Sequence, residues 1–329
     1  MDLSGLLHDV SRSFYLSLRV LPAEVRPQVG LAYLLARASD TVADTKAVPR
    51  ERRLELLARM RKGDFASVRE LAPGQALAAE RTLLERLDDC AREKERLAPR
   101  DRELIDALLD TIVSGQILDL ERFSGKGVGT LKDAAELDRY TYLVAGCVGE
   151  FWTRMCALHL PAFAALDQEE MIRLGVRFGK GLQLVNVLRD VAADLRIGRC
   201  YLPFPDPERL LDSARRDLFA PEYARWLDAA LEHLDSGWRY TLSIPPSLRR
   251  VRLACVWPIW IGLETIALLR RANPLDPAQR VMVRQGRVYL FLAESALFAG
   301  SDRRLDGVYQ GLRRRALDPS SGSERAQNR

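Results

Sequence analysis

The 329-residue chain is poor in lysine and cysteine and lacks any stretch that reads as a β-strand. Lysine occurs only as Lys46, Lys62, Lys94, Lys126, Lys132 and Lys180, so the formal charge of +5 rests on arginine. Arginine favours planar, bidentate contacts with phosphate and carboxylate, which makes an anionic ligand conceivable. A GC-rich genome would leave the same bias. The five cysteines (Cys90, Cys147, Cys156, Cys200, Cys255) are odd in number, scattered and without a C-x-x-C pair. That spacing suggests neither a disulfide framework nor a zinc site, and it fits a reducing cytoplasm. No apolar run reaches the roughly 18 residues of a membrane-spanning helix; the longest, Leu253 to Leu263, is closed by Arg252 and Glu264. The opening MDLSGLLHDVSRSF carries an early acid and no basic region ahead of an apolar one, which argues against export.

What is present is a helical pattern. Apolar residues recur at spacings of three and four, as in Leu54, Leu57, Leu83, Leu84, Leu87 and again in Leu104, Ile105, Leu108, Leu109, Ile112. Proline and glycine clusters punctuate it: Val48-Pro49, Ala72 to Gly74, Ala98-Pro99, Ser124 to Gly129, Leu202 to Pro207, Ile244 to Pro246 and Asn273 to Pro277. None resembles an interdomain linker, and no repeat is visible. The pattern predicts an all-α protein with a single domain over residues 1–317 and a disordered polar tail over 318–329. The stretch Gly125 to Gly129 follows a helix and lacks G-x-G-x-x-G spacing, so it reads as an interhelix loop and not a nucleotide cradle.

Two helices carry an unusual stripe. In Val29 to Thr45, at about 100° per residue, Tyr33, Arg37, Asp40 and Asp44 fall within a band about 60° wide on an otherwise apolar helix. In Phe178 to Leu195, Gln183, Asn186, Asp190 and Asp194 lie within about 80° of one another. Such a helix is buried in protein, so its carboxylates must face partners or a cavity. Two stripes facing each other across a bundle would form an oxygen-rich site suited to Mg²⁺ and phosphate oxygens, with Arg37 and Arg189 taking further phosphate charge. A buried salt-bridge network with those arginines is the competing reading, although burying four carboxylates for structure alone is costly. Asp106 and Asp110 share the spacing but lie opposite their helix's apolar stripe, as an ordinary solvated face.

At these residues the sequence resembles the squalene/phytoene synthase family. The carriers are Asp40-Thr-Val-Ala-Asp44, preceded by Tyr33 and Arg37, and Gln183-x-x-Asn186-x-x-Arg189-Asp190-x-x-x-Asp194. Three more blocks match: Ser11-Arg-Ser-Phe14, Tyr140 to Gly149, and Gly198-Arg-Cys-Tyr-Leu-Pro203. The resemblance implies an all-α isoprenoid synthase bundle with a central cavity for two farnesyl diphosphates. It implies Mg²⁺ held by Asp40, Asp44, Asn186, Asp190 and Asp194. Ser11, Arg12, Ser13, Tyr33, Arg37, Gln183, Asn186, Arg189 and Arg199 would contact diphosphate. Asp40, Asp190, Arg189 and Tyr140 would be catalytic, Tyr140 through proton removal and carbocation handling. Phe14, Phe151, Trp152, Trp257 and Trp260 could line a hydrocarbon tunnel or simply pack the core. Gly146, Gly149, Gly179 and Gly181 could admit a neighbouring helix or a ligand tail.

The family divides by how the second half-reaction ends: hydride from NADPH gives squalene, proton loss gives dehydrosqualene or phytoene, and water gives hydroxysqualene. A basic K-x-R-K-like cluster is implicated with NADPH in the eukaryotic enzymes; here Val281-Met-Val-Arg284-Gln-Gly-Arg287 stands in its place, leaving Arg284 and Arg287 as the candidate cofactor contacts. The block VAGCVGEFWTRM and the length look most like bacterial squalene synthases. That likeness implies a cytoplasmic monomer without a nucleic-acid partner, meeting the inner face of the membrane transiently to release product. A chain-elongating synthase, which uses D-D-x-x-D, or a silent helical scaffold are the readings from other classes.

Overall fold

The computed structural model describes residues 3–11, 15–161, 163 and 165–318. Fourteen α-helices account for most of the described residues. Every proline or glycine cluster named above falls between α-helices or at the first position of one, as Pro99 does, where a missing N–H costs nothing. Residues 319–329 of the predicted tail lie outside the described residues.

The chain divides into two compact units, residues 1–121 with 150–161 and residues 122–149 with 162–329. The first holds α1 (Ser4–Ser11), α2 (Tyr15–Val20), α3 (Arg26–Asp44), α4 (Arg50–Arg61), α5 (Ala78–Glu85), α6 (Leu87–Glu95) and most of α7 (Pro99–Arg122). Its organiser is α3, which packs against α1, α2, α4, α5 and α6. Leu31, Leu34, Leu35, Ala38 and Val42 are buried there. Removing each of the leucine and valine side chains from water is worth about 1.5–3 kcal/mol, so burial and not capping holds α3; its N-terminus has no side-chain cap.

The second unit begins with α8 (Ala134–Thr141), capped by the Asp133 carboxylate, which accepts from the Glu136 N–H at 2.8 Å. A π-helical turn, Tyr142–Gly146, leads into α9 (Cys147–His159), which passes from the second unit into the first. The long α10 (Gln168–Arg196) packs on α8, the π turn, α11 (Arg216–Ser243) and α12 (Arg249–Leu269). Two further helices, α13 (Gln285–Phe298) and α14 (Asp302–Leu317), close over α12. By length and composition α12 could cross a bilayer, but 67% of its apolar window is buried in the protein, as in a core helix.

One element escapes the helical pattern. At the end of α10, Gly198 adopts φ of 83° and turns the chain so that Arg199–Cys200 pairs in parallel with Gly129–Thr130. A Cβ at Gly198 would stand 2.9 Å from the Gly127 carbonyl oxygen, so glycine is required by space as well as by φ. The Gly125 to Gly129 segment is the loop that feeds this ladder.

Candidate functional site

In the first unit the stripe on α3 is half-open: Tyr33, Arg37 and Asp40 are partly buried and Asp44 is exposed. Arg37 does not hydrogen-bond Asp40. Its guanidinium donates to Glu80 of α5, and its Nε is buried without a partner. Burial works against the Arg37 charge, but the Asp40 and Glu80 carboxylates outweigh it and hold its pKa above the ordinary value. Asp40 instead accepts from Gln116 Nε2 at 2.6 Å, and the same amide donates to Ser39 Oγ at 2.9 Å. Burial pushes the Asp40 carboxyl from 3.8 up to about 6, against the opposing pull of Gln116 and Arg37. The Tyr33 hydroxyl donates to the Val10 carbonyl at 3.4 Å, next to Ser11, whose own hydroxyl donates to Leu7 at 2.5 Å. Arg12, Ser13 and Phe14 lie outside the described residues.

The second unit gathers the other stripe. Along α10, Gln183, Asp190 and Asp194 are partly buried, whereas Asn186 and Arg189 are exposed. Arg189 grips the adjacent Asp190 with Nε at 2.9 Å and Nη2 at 2.6 Å, and that bond raises its pKa. The turn at Gly198 brings Arg199 and Tyr201 back beside Asp194, the three lining one narrow crevice with Val187 and Val191. Tyr140 is buried and stacks on Tyr201 with centroids 4.8 Å apart, and Arg199 Nη1 lies 3.3 Å from the Tyr201 hydroxyl. Gln116 and Glu80 were not singled out in the sequence, and Tyr201 stood there only within the Gly198 to Pro203 block.

The remaining candidates separate by packing. Trp260 is fully buried, edge-on to Phe291, and Trp257 Nε1 donates to Ser295 at 2.8 Å, so both serve the α12–α13 contact. The glycines are sites of helix approach. A Cβ at Gly149 would lie 1.9 Å from the Gly175 carbonyl oxygen, and one at Gly179 would lie 2.2 Å from that of Ala145. At the N-terminus of α13, Arg284 is exposed. Arg287 is engaged: its guanidinium sits 4.4 Å from the Phe291 ring centroid and 3.6 Å from Glu264, which also takes Arg315 at 2.9 Å. Asp106 and Asp110 are solvent-facing but paired, with Lys94 at 2.5 Å and Arg61 at 2.6 Å.

Asp44 and Asp194, in the last turns of α3 and α10, stand where their helix's own field opposes them. Asp44 is the last residue of α3, and Asp190 and Asp194 lie in the last two turns of α10. Peptide dipoles leave negative charge at that end, which favours cations. The last turn of α3 contains no basic residue, and the relief comes from α4, where Arg53 donates to the Ala43 carbonyl at 2.6 Å. The donors in both sets are oxygens, which suits Mg²⁺, an ion that takes one or two carboxylates and leaves places for phosphate oxygens and water. Among the described residues no three His, Cys, Asp or Glu side chains form a ready-made metal cage.

The chain resembles known proteins in sequence and fold. The squalene/phytoene synthase profile matches residues 7–287. The chain is 30% identical over 307 residues to squalene synthase of Yarrowia lipolytica, covering 90% of this chain and 66% of that protein. It is 28% identical over 264 residues to 15-cis-phytoene synthase of Synechocystis, covering 77% and 70%. To presqualene diphosphate synthase of Rhodopseudomonas palustris it is 31% identical over 191 residues, 58% of each. The chain thus spans just under two thirds of the length of the Yarrowia relative. Among solved structures, TcSQS with the ligand E5700 superposes with a TM-score of 0.74 at 20% identity, over 95% of this chain and 97% of that one. Squalene synthase HpnC from Alicyclobacillus acidocaldarius gives 0.53 at 20% identity, over 82% and 94%. The fold is the helical isoprenoid synthase fold.

Proposed function

The chain belongs to the squalene/phytoene synthase family, whose enzymes are prenyl transferases, and from that premise we propose that it joins two farnesyl diphosphates head to head, through presqualene diphosphate, to squalene, with NADPH as hydride donor. The observation that carries the reading is two oxygen-rich stripes with arginine beside each: Asp40 and Asp44 with Arg37 on α3, and Asp190 and Asp194 with Arg189 on α10, Asp190 held by Arg189 and Asp194 beside Arg199. Residues 1–317 act as one catalytic domain in this reading.

Loss of diphosphate from the first substrate leaves an allylic cation. The double bond of the second attacks it, a proton leaves, and a cyclopropylcarbinyl diphosphate forms. That product loses its own diphosphate, rearranges and is quenched by hydride. Mg²⁺, held by Asp40, Asp44, Asn186, Asp190 and Asp194, would stabilise the charge growing on the departing diphosphate. Arg37, Arg189 and Arg199 orient that anion through guanidinium forks, Arg199 from beside Asp194. Ser11, Arg12, Ser13, Tyr33, Gln183 and Asn186 add polar contacts. Tyr140, stacked on Tyr201, would present a π-face to the cation and its Oη to the departing proton.

A second reading stops before reduction, at presqualene diphosphate or at a dehydrogenated, hydroxylated or phytoene-type product. It is favoured by the engagement of Arg287 with Glu264 and Phe291, which leaves exposed Arg284 as the accessible arginine of the candidate NADPH pair. The enzyme works as a cytoplasmic monomer that touches the inner membrane face to unload hydrocarbon. Incubation with farnesyl diphosphate and Mg²⁺, with and without NADPH, followed by mass spectrometry of the extract, tests both readings. Squalene formed only with NADPH supports the first. An identical product spectrum in both tubes overturns it and leaves the condensation standing, and no C30 product at all overturns the condensation.

A further inference from the structure

Helix α13 breaks the amphipathic rule that its neighbour obeys. On α14, Leu305, Tyr309, Leu312 and Ala316 are buried, while Arg303, Gln310 and Arg314 face solvent. On α13, Phe291 and Ser295 are buried; apart from Gln285, whose amide donates to the Tyr289 hydroxyl at 2.9 Å, the exposed positions are Gly286, Tyr289, Leu290, Ala293, Ala296 and Leu297, none charged. At about 100° per residue these six cover an arc of about 120° over the whole helix. Leu297 is 78% exposed and Tyr289 58%, and Met282, 62% exposed, extends the stripe beyond the helix start. Single exposed apolar residues need no explanation, but a continuous helical stripe marks an interaction surface.

The exposed charges at the two ends of the stripe are mostly arginines. Arg280 and Arg284 are exposed at its N-terminal end. Arg303 and Arg304 are exposed at the other end, and Arg249 lies against Gly300. The nearby acids are occupied or withdrawn: Asp302 takes Arg252, Glu264 takes Arg287 and Arg315, and Glu294 is half-buried. An apolar helical face with an aromatic in it and arginines at both ends matches an anionic bilayer surface, where the apolar side enters the headgroup boundary and the arginines meet lipid phosphate. A second copy fits worse. Whichever way α13 were laid against itself, arginines would meet arginines, and six residues fall short of the roughly 20–30 a side of a stable interface.

We propose that the outer face of α13, with the arginines at its two ends, is a docking surface for an anionic lipid bilayer. It gives a location to the membrane contact of the proposed function and rests on that reading only for its purpose, delivery of a water-insoluble product.

The test uses the purified full chain and no substrate, so a failed lipid assay and a failed condensation are told apart. Flotation with vesicles of phosphatidylglycerol and phosphatidylcholine, or of phosphatidylcholine alone, is compared for the wild type and for Leu290→Asp/Leu297→Asp, two exposed positions. Binding to the anionic vesicles, weakened by salt and reduced about tenfold or more in the double variant, is expected. Diphosphate release from farnesyl diphosphate in solution stays at the wild-type rate. All five native cysteines are buried, so an environment-sensitive dye on Leu297→Cys supplies a second reading and should shift to the blue with anionic vesicles. Three results overturn the proposal: no wild-type flotation, equal flotation of the double variant, or a wild-type dimer in sedimentation that the double variant abolishes, which would assign the face to a second copy.

Discussion

Replacing Asp40 with asparagine separates a working site from a structural salt bridge, because the two readings give stability changes of opposite sign. In the folded protein the Asp40 carboxyl titrates at about 6 instead of 3.8, chiefly through burial. Its charged form therefore costs the folded state about 3 kcal/mol at about pH 7, at about 1.4 kcal/mol per tenfold. The side chain retains some exposure, so about 1–3 kcal/mol is the range expected once solvent screening is allowed for. Asparagine keeps the shape and an oxygen for Gln116 while removing the charge. The variant should be more stable than the wild type by that amount in metal-free buffer containing a chelator.

The sign follows from linkage. The folded state holds its proton more tightly than the unfolded chain does, so wild-type stability falls as pH rises from about 4 to about 6. The gap between variant and wild type is thus full above about pH 6 and closes towards pH 4. Were Asp40 one half of a structural pair with Arg37, its removal would strand a partly buried guanidinium and destabilise by about 3–5 kcal/mol. Urea unfolding followed by circular dichroism at the two pH values reads the difference directly. With Mg²⁺ and inorganic diphosphate added, the order should reverse, since only the wild type gains from the ligand. Turnover of the variant should drop about 10²-fold or more, with Asp106→Asn, on its exposed face, as the unaffected control. A variant equal to or less stable than the wild type at neutral pH in the chelator would refute the reasoning.

Other substitutions probe the second unit. Tyr140→Phe keeps the stack on Tyr201 and should leave the unfolding midpoint within about 1 kcal/mol of wild type while lowering first-step turnover by about 10²-fold; unchanged turnover would return Tyr140 to the core. Gly149→Ala places a methyl 1.9 Å from a backbone oxygen and should destabilise by about 3 kcal/mol in urea titration, whereas Gly286→Ala, with nothing within 4 Å, should not destabilise at all. His233 is held down to about 4 from 6.5, first by burial and then by Arg177 and Lys180. Its contribution is complete above about pH 6.5 and lost as pH falls towards 4, so His233→Gln should flatten the acid limb of the stability profile by about 1–3 kcal/mol; a limb of unchanged slope would count against it.

The helices were legible because their apolar residues repeat with the helical period, and the punctuating prolines and glycines fall where that period stops. The aspartate stripes were legible for a related reason: four acids at one angular position on two apolar helices violate local preference, and local violations concentrate where function lies. What escaped is whatever depends on a partner distant in the chain. Gln116 sits in Thr-Ile-Val-Ser-Gly-Gln-Ile-Leu as one amide among apolar neighbours, and nothing in that string says that it meets Asp40, 76 positions away. Glu80 looks like any first-turn helix acid until Arg37 reaches it. The π turn at Tyr142–Gly146 has no period of its own to read, and it lies where Gly146, Gly149 and Gly179 let backbones close to contact. The same limit hid the face of α13. Tyr289, Leu290 and Leu297 stand in the apolar string VYLFLAESALF, and only the direction in which α13 lies on α12 turns them outward. A period tells which residues share a side of a helix, whereas the packing of other helices decides which side meets water, and that is why a stripe of acids could be found from sequence and a stripe of leucines could not.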